Sequence, residues 1–186
     1  MSLIQILSAW LLADLLTGFV HWFEDRYMDG SFGLDLLNRI ADDNNLHHNK
    51  PTAMTLSSGW ANMRSGAAAG WPVAAVLWLA GVPMVVWLIP FFASFGNLIH
   101  RWSHVPKKKL PRWIRGMQEF GLFISHEHHD AHHRSMKKLI PKHLAGYRFC
   151  AMTDWVNPLL DGLHFWYALE NLFRMSGVQT TNERAQ

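Results

Sequence analysis

Two long apolar stretches, separated by a polar segment, dominate the first hundred residues of the chain. The first stretch, residues 3–22, is interrupted by Asp14 and Thr17. About twenty apolar residues suffice for a helix to cross the hydrocarbon core of a bilayer. No Lys or Arg precedes Arg26 and there is no clean cleavage site, so the pattern favours a retained transmembrane helix over a signal peptide.

The second apolar stretch, residues 60–104, is longer than one membrane crossing needs. Gly81 and Pro83 supply a turn near its middle, so the pattern predicts a helical hairpin of residues 60–80 and 83–104. The alternative is a buried hairpin in a soluble protein. With the first stretch, the hairpin makes about three transmembrane helices, and three crossings bring all the histidine motifs to the same side of the membrane.

The remaining segments predict helices that lie on a surface rather than cross it. Residues 34–40 and 112–125 mix apolar with polar positions, as interfacial amphipathic helices do. Residues 147–173 predict a capping helix pair that breaks at Asn157-Pro158. The predicted fold class is therefore all-α, a multi-pass membrane protein with a single domain over residues 1–175 and a polar tail over residues 176–186.

The distribution of charge gives this arrangement an orientation. Residues 101–149 hold eleven Lys or Arg against three Asp or Glu, although the net charge of the whole chain is only +3. Ten tryptophans and 49% apolar residues favour a membrane surface over nucleic acid as the partner of this basic segment. Because basic loops stay in the cytoplasm, we expect the histidine-rich face to be cytoplasmic and expect no nucleic-acid partner.

Histidine is the residue type that points to chemistry. Five of the eight residues from His126 to His133 are histidine, and a further His-x-x-x-His motif is formed by His100 and His104. Residues four apart share a helix face. Crowded imidazoles are unfavourable unless a metal ion is bound, and the single cysteine, Cys150, excludes a cysteine-based zinc site.

Three other histidine positions are more ambiguous. His21 lies seven residues after Asp14 and four before Asp25, on one face of a continuing helix, so both carboxylates are candidates to orient a ligand from the second shell. The pair His47-His48, taken alone, fits a solvated loop as well as a metal site. His164 stands among aromatic residues and is predicted to be an interfacial side chain.

The number of histidines separates the classes of site. A zinc hydrolase needs about three protein ligands, the His-Glu-x-x-His motif of zinc proteases is absent, and a haem needs only two axial ligands. Two ions in a membrane protein favour a non-haem di-iron oxidase that acts on a lipid, because removing hydrogen from an unactivated alkyl carbon is beyond acid–base catalysis. A non-catalytic metal-binding or haem-binding membrane protein remains the alternative from another class.

The histidine motifs resemble those of membrane desaturases and hydroxylases, and the chain more closely resembles the Kua family of lipid desaturases. That family includes CarF-type plasmanylethanolamine desaturases and a plastid acyl-lipid desaturase. The similar stretches follow one order along the chain: residues 13–14, 18–22, Asp25, 47–48, 51–53, 97–104, 110–113, 128–133, 141–143, 149–150 and 155–157.

The resemblance implies a site, cofactors and partners. The implied cofactors are two iron ions, with O2 as cosubstrate, and the partners are a membrane phospholipid and an external electron donor, cytochrome b5-like or ferredoxin-like. The implied reaction is formation of a vinyl ether in an alkyl-ether phospholipid, with acyl-lipid desaturation or hydroxylation as the alternative. The implied metal ligands, of which His100, His104, His129, His132 and His133 are catalytic, are His21, His47, His48, His100, His104, His128, His129, His132, His133 and His143.

Overall fold

The computed structural model describes residues 2–31, 33–137 and 147–181, and within these ranges all regular secondary structure is helical, without a strand. The predicted all-α class is therefore confirmed. A short 3-10 turn at Lys107–Lys109 interrupts the order of the helices. These are α1 Leu3–Tyr27, α2 Asp35–Asn49, α3 Ala53–Leu56, α4 Gly59–Leu79, α5 Met84–Ala93, α6 Gly96–Ser103, α7 Arg112–Glu119, α8 His126–Lys137, α9 Val156–Gly162 and α10 Phe165–Met175.

Helix α1 is the longest element and the one on which the others assemble. It begins with a capping box, in which the Ser2 hydroxyl accepts from the Gln5 amide and the Gln5 side chain accepts from the Ser2 amide. Small residues let neighbours approach closely: a Cβ on Gly18 would lie 2.6 Å from the Cys150 sulfur. Farther along, Arg26 forms a buried ion pair with Glu170 of α10, at 2.6 Å.

The prediction of three transmembrane helices is not confirmed. Among the described residues, α1 is the one continuous helix that is long and apolar enough to cross a membrane. Helices α5 and α6 meet that test only as a pair bent by 46°, and α4 is not among the candidates. The predicted helix over residues 83–104 is thus broken at Ser94, whose hydroxyl donates to the Phe91 carbonyl and accepts from the Trp71 indole.

Three other boundaries differ from the prediction. Helix α2 extends well beyond residue 40 and carries His47 and His48 in its last turn, so this pair is not in a loop. Helix α7 ends at Glu119 rather than continuing to residue 125. The C-terminal pair of helices breaks at Leu163 and His164 rather than at Asn157-Pro158. Pro158 lies in the first turn of α9, where an N–H would have no partner within the helix, so the proline does not interrupt the helix.

The buried apolar side chains form two core clusters. One is built around Ile99, the neighbour of His100, and the other around Trp22, the neighbour of His21. The first core consists of Ala13, Ile99, Leu110, Ile114, Phe123, Ile124 and Met152. The second consists of Trp22, Tyr27, Tyr147, Phe149, Cys150, Leu160 and Trp166. The single-domain division at residue 175 stays a prediction.

Close contact between α4 and α5 makes Gly70 a sensitive position. A Cβ there would clash with the Pro90 carbonyl oxygen, which belongs to the backbone and cannot simply rotate away. We expect Gly70→Ala to lower the free energy of unfolding by about 1–3 kcal/mol, measured as thermal unfolding of the detergent-purified protein. Gly116→Ala is the control, because nothing lies within 4 Å of that position. An unchanged melting temperature for Gly70→Ala would contradict the packing described here.

Candidate metal centre

One group of five buried histidines converges from three helices. His47 comes from the last turn of α2, His100 and His104 from the end of α6, and His129 and His133 from α8. One ring nitrogen of each lies within 4.8 Å of those of the others. The His-x-x-x-His motifs thus direct both of their rings to one point, as the four-residue spacing predicts, and His47 of α2, a ligand implied by the family resemblance, supplies the fifth ring.

A second group combines three histidines with a carboxylate. His21 and Asp25 lie one turn apart on α1, His48 follows His47 on α2, and His132 precedes His133 on α8. Their candidate ligand atoms also lie within 4.8 Å of one another. The Asp25 carboxylate is at the middle of the group, with Oδ1 at 2.7 Å from His48 Nε2 and Oδ2 at 3.3 Å from His132 Nε2.

The two groups are neighbours because α2 and α8 contribute consecutive histidines to both. Adjacent residues of a helix point about 100° apart, so each pair divides its rings between the groups. The ring centroids of His48 and His133 are 5.0 Å apart, and those of His21 and His100 are 5.4 Å apart. The arrangement is that of a two-site centre.

Hydrogen bonds fix which nitrogen of the second group faces the carboxylate. His21 Nδ1 lies 2.9 Å from the Phe149 carbonyl oxygen and His132 Nδ1 lies 2.6 Å from that of Tyr147. A carbonyl only accepts, so each Nδ1 carries a proton, and Nε2 is the ring nitrogen that faces the Asp25 carboxylate. Both Nε2 atoms and Asp25 Oδ2 have no hydrogen-bond partner among the described residues. A metal ion bound among these three atoms would give all of them a partner.

The five-histidine group also contains ring nitrogens without a hydrogen-bond partner among the described residues. Burial away from water, reinforced by repulsion from the neighbouring His132 imidazole, lowers the pKa of His133 to about 2. Burial likewise lowers the pKa of His129, with repulsion from His100 as the next cause. These rings are therefore neutral near pH 7 and carry free lone pairs. In the described part of the chain, both ring nitrogens of His47 and of His133, and Nε2 of His104, lack a hydrogen-bond partner.

The structure separates the predicted ligands from their neighbours. Eight of the ten implied histidines lie in the two groups, and His143 lies outside the described residues. His128 is brought into neither group: its Nε2 lies 3.1 Å from the Asn157 side-chain amide, and its Nδ1 lies 3.7 Å from Asp154. It occupies the first turn of α8, where its ring meets the start of α9. His164 is exposed and, as predicted, belongs to neither group.

The two carboxylates predicted to orient His21 have different positions. Asp25 lies among the candidate ligands themselves, because its side chain is fully buried between His21, His48 and His132. Asp14 forms no recorded contact with a histidine. It is fully buried and accepts hydrogen bonds from the Met152 amide and from the amide and hydroxyl of Thr153.

Sequence reasoning missed the backbone carbonyls of Tyr147 and Phe149, which hold His132 and His21. It also missed Asn157, which is fully buried and bonds both backbone groups of Cys150. A carbonyl oxygen is present at every residue, so residue type gives no indication of the first two. The buried asparagine just before a proline was interpreted as a helix break instead.

Comparison with known proteins identifies the family of this chain. The lipid desaturase domain matches residues 10–183. A probable fatty acid desaturase of Acanthamoeba polyphaga mimivirus is 27% identical over 95% of this chain and 84% of its own length. Fatty acid desaturase 4-like 2, chloroplastic, of Arabidopsis thaliana is 30% identical over 88% and 56%, respectively. Plasmanylethanolamine desaturase 1 of Mus musculus is 26% identical over 92% and 65%.

The matched regions therefore cover less than two thirds of the plant and mouse relatives but most of the viral one. No solved structure matches the chain. The family match extends over more than half of the chain and over every candidate ligand described above. The family predicted from the motifs is confirmed: this chain belongs to the lipid desaturase domain family, a family of oxidoreductase enzymes.

Proposed function

We propose that this protein is a membrane lipid desaturase that holds two iron ions and uses O2 to introduce a double bond into a phospholipid chain. The observation that carries the proposal is the division of eight histidines and Asp25 into two adjacent groups with unpartnered lone pairs. The names of the relatives, which are lipid or fatty acid desaturases, support the same reaction class.

The donor set supports iron. Imidazole and carboxylate ligands without thiolate suit several divalent metals, but zinc has no redox chemistry. When bound, the iron pair would supply the oxidising power, taken from O2, that removes hydrogen from an unactivated alkyl carbon. The five-histidine group would hold one ion and the Asp25 group the other.

The chain's own residues have three tasks in this proposal. The Asp25 carboxylate offsets positive charge at the group it belongs to, whereas the other group is uncharged. The carbonyls of Tyr147 and Phe149 keep His132 and His21 in the tautomer that offers Nε2. The two apolar cores exclude water from the region around the histidines, which would limit side reactions.

The electron balance requires a further partner. Forming a C=C bond removes two hydrogens, with two electrons, from the lipid. Reducing O2 to two water molecules takes four electrons and four protons, so two electrons and two protons come from outside the substrate. We propose an external one-electron carrier, cytochrome b5-like or ferredoxin-like, as their source.

Exposed apolar side chains support insertion into a membrane. On α1, Leu3 and Ile4 are 79% and 75% exposed, and on α4, Val76 and Leu79 are 65% and 75% exposed. We propose that α1, α4 and the bent pair α5–α6 are embedded in the bilayer. The histidine groups lie at the ends of α1 and α6, and the basic run Lys107–Lys109 follows α6 directly. Both would then face the cytoplasm.

The preferred substrate is an alkyl-ether phospholipid, from which the enzyme would form a vinyl ether. The mouse relative and one of Myxococcus xanthus, both named plasmanylethanolamine desaturases, support this choice. Acyl-chain desaturation is the second candidate, favoured by the names of the plant and viral relatives. A haem-binding protein is a weaker candidate, since two axial ligands would leave six of the eight clustered histidines without a role.

One experiment separates these functions. Cells that lack vinyl ether lipids would express the protein, receive an alkyl-ether lipid precursor, and have their phospholipids analysed before and after mild acid. Vinyl ethers are acid-labile, so we expect a new unsaturated ether lipid that disappears on acid treatment. An acid-stable new double bond in an acyl chain would establish the second candidate instead.

Metal content of the detergent-purified protein is the companion measurement. We expect about two irons per chain and an absorption spectrum without the intense bands of haem. Zinc alone, with no activity after reconstitution with iron, would contradict the proposed function.

A further inference from the structure

A segment without helix passes beside the second group of candidate ligands. Residues 147–153, which we call the strap, contain no helix and connect the region after α8 to α9. Their carbonyl oxygens at Tyr147 and Phe149 accept from His132 and His21. Two of the three histidines in that group are therefore oriented by one short stretch of backbone.

The strap is itself held by buried or half-buried side chains from elsewhere in the chain. At its start, Asp161 Oδ1 accepts from the amides of Tyr147 at 3.0 Å and of Arg148 at 3.4 Å. Arg148 has a φ of 53°, a left-handed conformation that a residue with a side chain adopts only when its surroundings enforce it. The Asp161 carboxylate bonds the amides on both sides of the Tyr147 carbonyl.

The middle and end of the strap are held in the same way. Asn157 Oδ1 accepts from the Cys150 amide at 2.9 Å, and Asn157 Nδ2 donates to the Cys150 carbonyl at 2.8 Å. Asp14 accepts from the Met152 amide at 2.8 Å and the Thr153 hydroxyl at 2.6 Å. Asn157 and Asp14 are fully buried. Asn157 and Asp14 thus hold the backbone that follows Phe149, as Asp161 holds the backbone on both sides of the Tyr147 carbonyl.

We propose that the strap sets the metal affinity of the Asp25 group alone, with Asp161 and Asn157 as positioning residues that act through the carbonyls of Tyr147 and Phe149. This inference rests on the two-metal centre proposed above. The physical reason is that an oriented carbonyl fixes the tautomer and the direction of an imidazole, and loss of such a partner costs about 10–100-fold in metal affinity.

The proposal is selective because the five-histidine group has no strap carbonyl among its recorded hydrogen bonds. His100 Nε2 and His129 Nε2 lie 2.6 Å from each other, and His47 and His133 have no hydrogen-bond partner at either ring nitrogen in the described chain. A change in the strap should therefore lower the metal affinity of the Asp25 group and leave that of the five-histidine group unchanged. A residue that only stabilised the fold would affect both sites together.

The test uses Asp161→Ala and Asp161→Asn in the full-length, detergent-purified protein. The metal-free protein is titrated with Co(II), a spectroscopic probe for a divalent ion on nitrogen and oxygen ligands, and the visible bands report each site. We expect Asp161→Ala to weaken one of two sites about 10–100-fold and leave the other unchanged. Asp161→Asn keeps an oxygen that can accept from both amides, so we expect it to retain both sites.

Two further variants complete the design. Asn157→Asp preserves the acceptor for the Cys150 amide but not the donor to its carbonyl, so we expect a smaller loss, of about tenfold, at the same site. This milder change also tests the proposal if Asp161→Ala does not fold. Asn171→Ala on α10, whose recorded side-chain bond is to Arg174, is the matched control and should bind as wild type does.

The outcomes distinguish this inference from the function on which it rests. Wild-type protein without two Co(II) sites overturns the two-metal centre and the inference with it. Two sites in wild type that both persist at full affinity in Asp161→Ala and Asn157→Asp overturn the role of the strap alone. Equal weakening of both sites in folded variants also overturns it, because the strap would then be a general structural element.

Discussion

The His104→Ala and His132→Ala variants are expected to lose desaturation by more than about a hundredfold while still inserting into the membrane. His104 belongs to the five-histidine group and His132 to the Asp25 group, so each variant removes a ligand from a different proposed ion. Losing a ligand itself should cost more than losing the partner that orients it, which already costs about 10–100-fold. Because both ions are needed, the double variant should be no worse than either single one.

Product formation in cells and iron content of the purified protein are the two readouts. His128→Ala is the sharpest control, because the family resemblance implies a ligand at His128 whereas the structure pairs its ring with Asn157. We expect His128→Ala to keep about two irons. His164→Ala, at an exposed position outside both groups, should behave as wild type. Desaturation that persists in His104→Ala or His132→Ala would remove the basis of the ligand assignment.

A second large effect is expected at the ion pair between Arg26 and Glu170. The two side chains are 3% and 2% exposed, and the Arg26 Nε to Glu170 Oε1 distance is 2.6 Å. Removing one partner leaves the other charge buried without compensation. We expect Glu170→Ala to lower the free energy of unfolding by about 3–5 kcal/mol. Replacing both partners, as in Arg26→Met with Glu170→Leu, should recover most of this loss, because no buried charge then remains.

Thermal or denaturant unfolding of the detergent-purified protein measures these changes. The control is the exposed pair of Lys107 and Glu119, whose side chains are 57% and 62% exposed and 3.4 Å apart. Glu119→Ala should change stability by no more than about 1 kcal/mol. If Glu170→Ala proved as mild as the control, α10 would not be attached to α1 through this pair.

The parts of this protein that sequence reasoning predicts well are those with local causes. The helical class follows from periodicity and composition, and the spacing of His100 with His104 and of His129 with His133 follows from the geometry of one helix. The division of His132 and His133 between two groups depends on how α8 faces α1 and α2. No pattern within eight residues contains that information.

Errors arose where tertiary contacts override composition. Residues 83–104 are apolar enough to predict one helix, but the chain bends near Ser94. At this bend the Ser94 hydroxyl donates to the Phe91 carbonyl and accepts from the Trp71 indole. Asp14 and Asp25 share a face with His21, and spacing alone gives them equal status. Only the folded structure shows that Asp25 contacts His48 and His132 as well as His21, while Asp14 attaches residues 152–153.

The contacts of α1 also constrain the order of events during synthesis. Asp14 finds its partners 138 and 139 residues later, and Arg26 finds its own 144 residues later. Translation proceeds at about 5–20 residues per second, so the first helix would wait roughly 7–29 seconds for them. His21 and His132 likewise acquire their carbonyl partners only when Tyr147 and Phe149 have been made. A growing chain therefore cannot complete its Asp25 group until Phe149 has been made, so the proposed metal loading of that group would follow the synthesis of the strap.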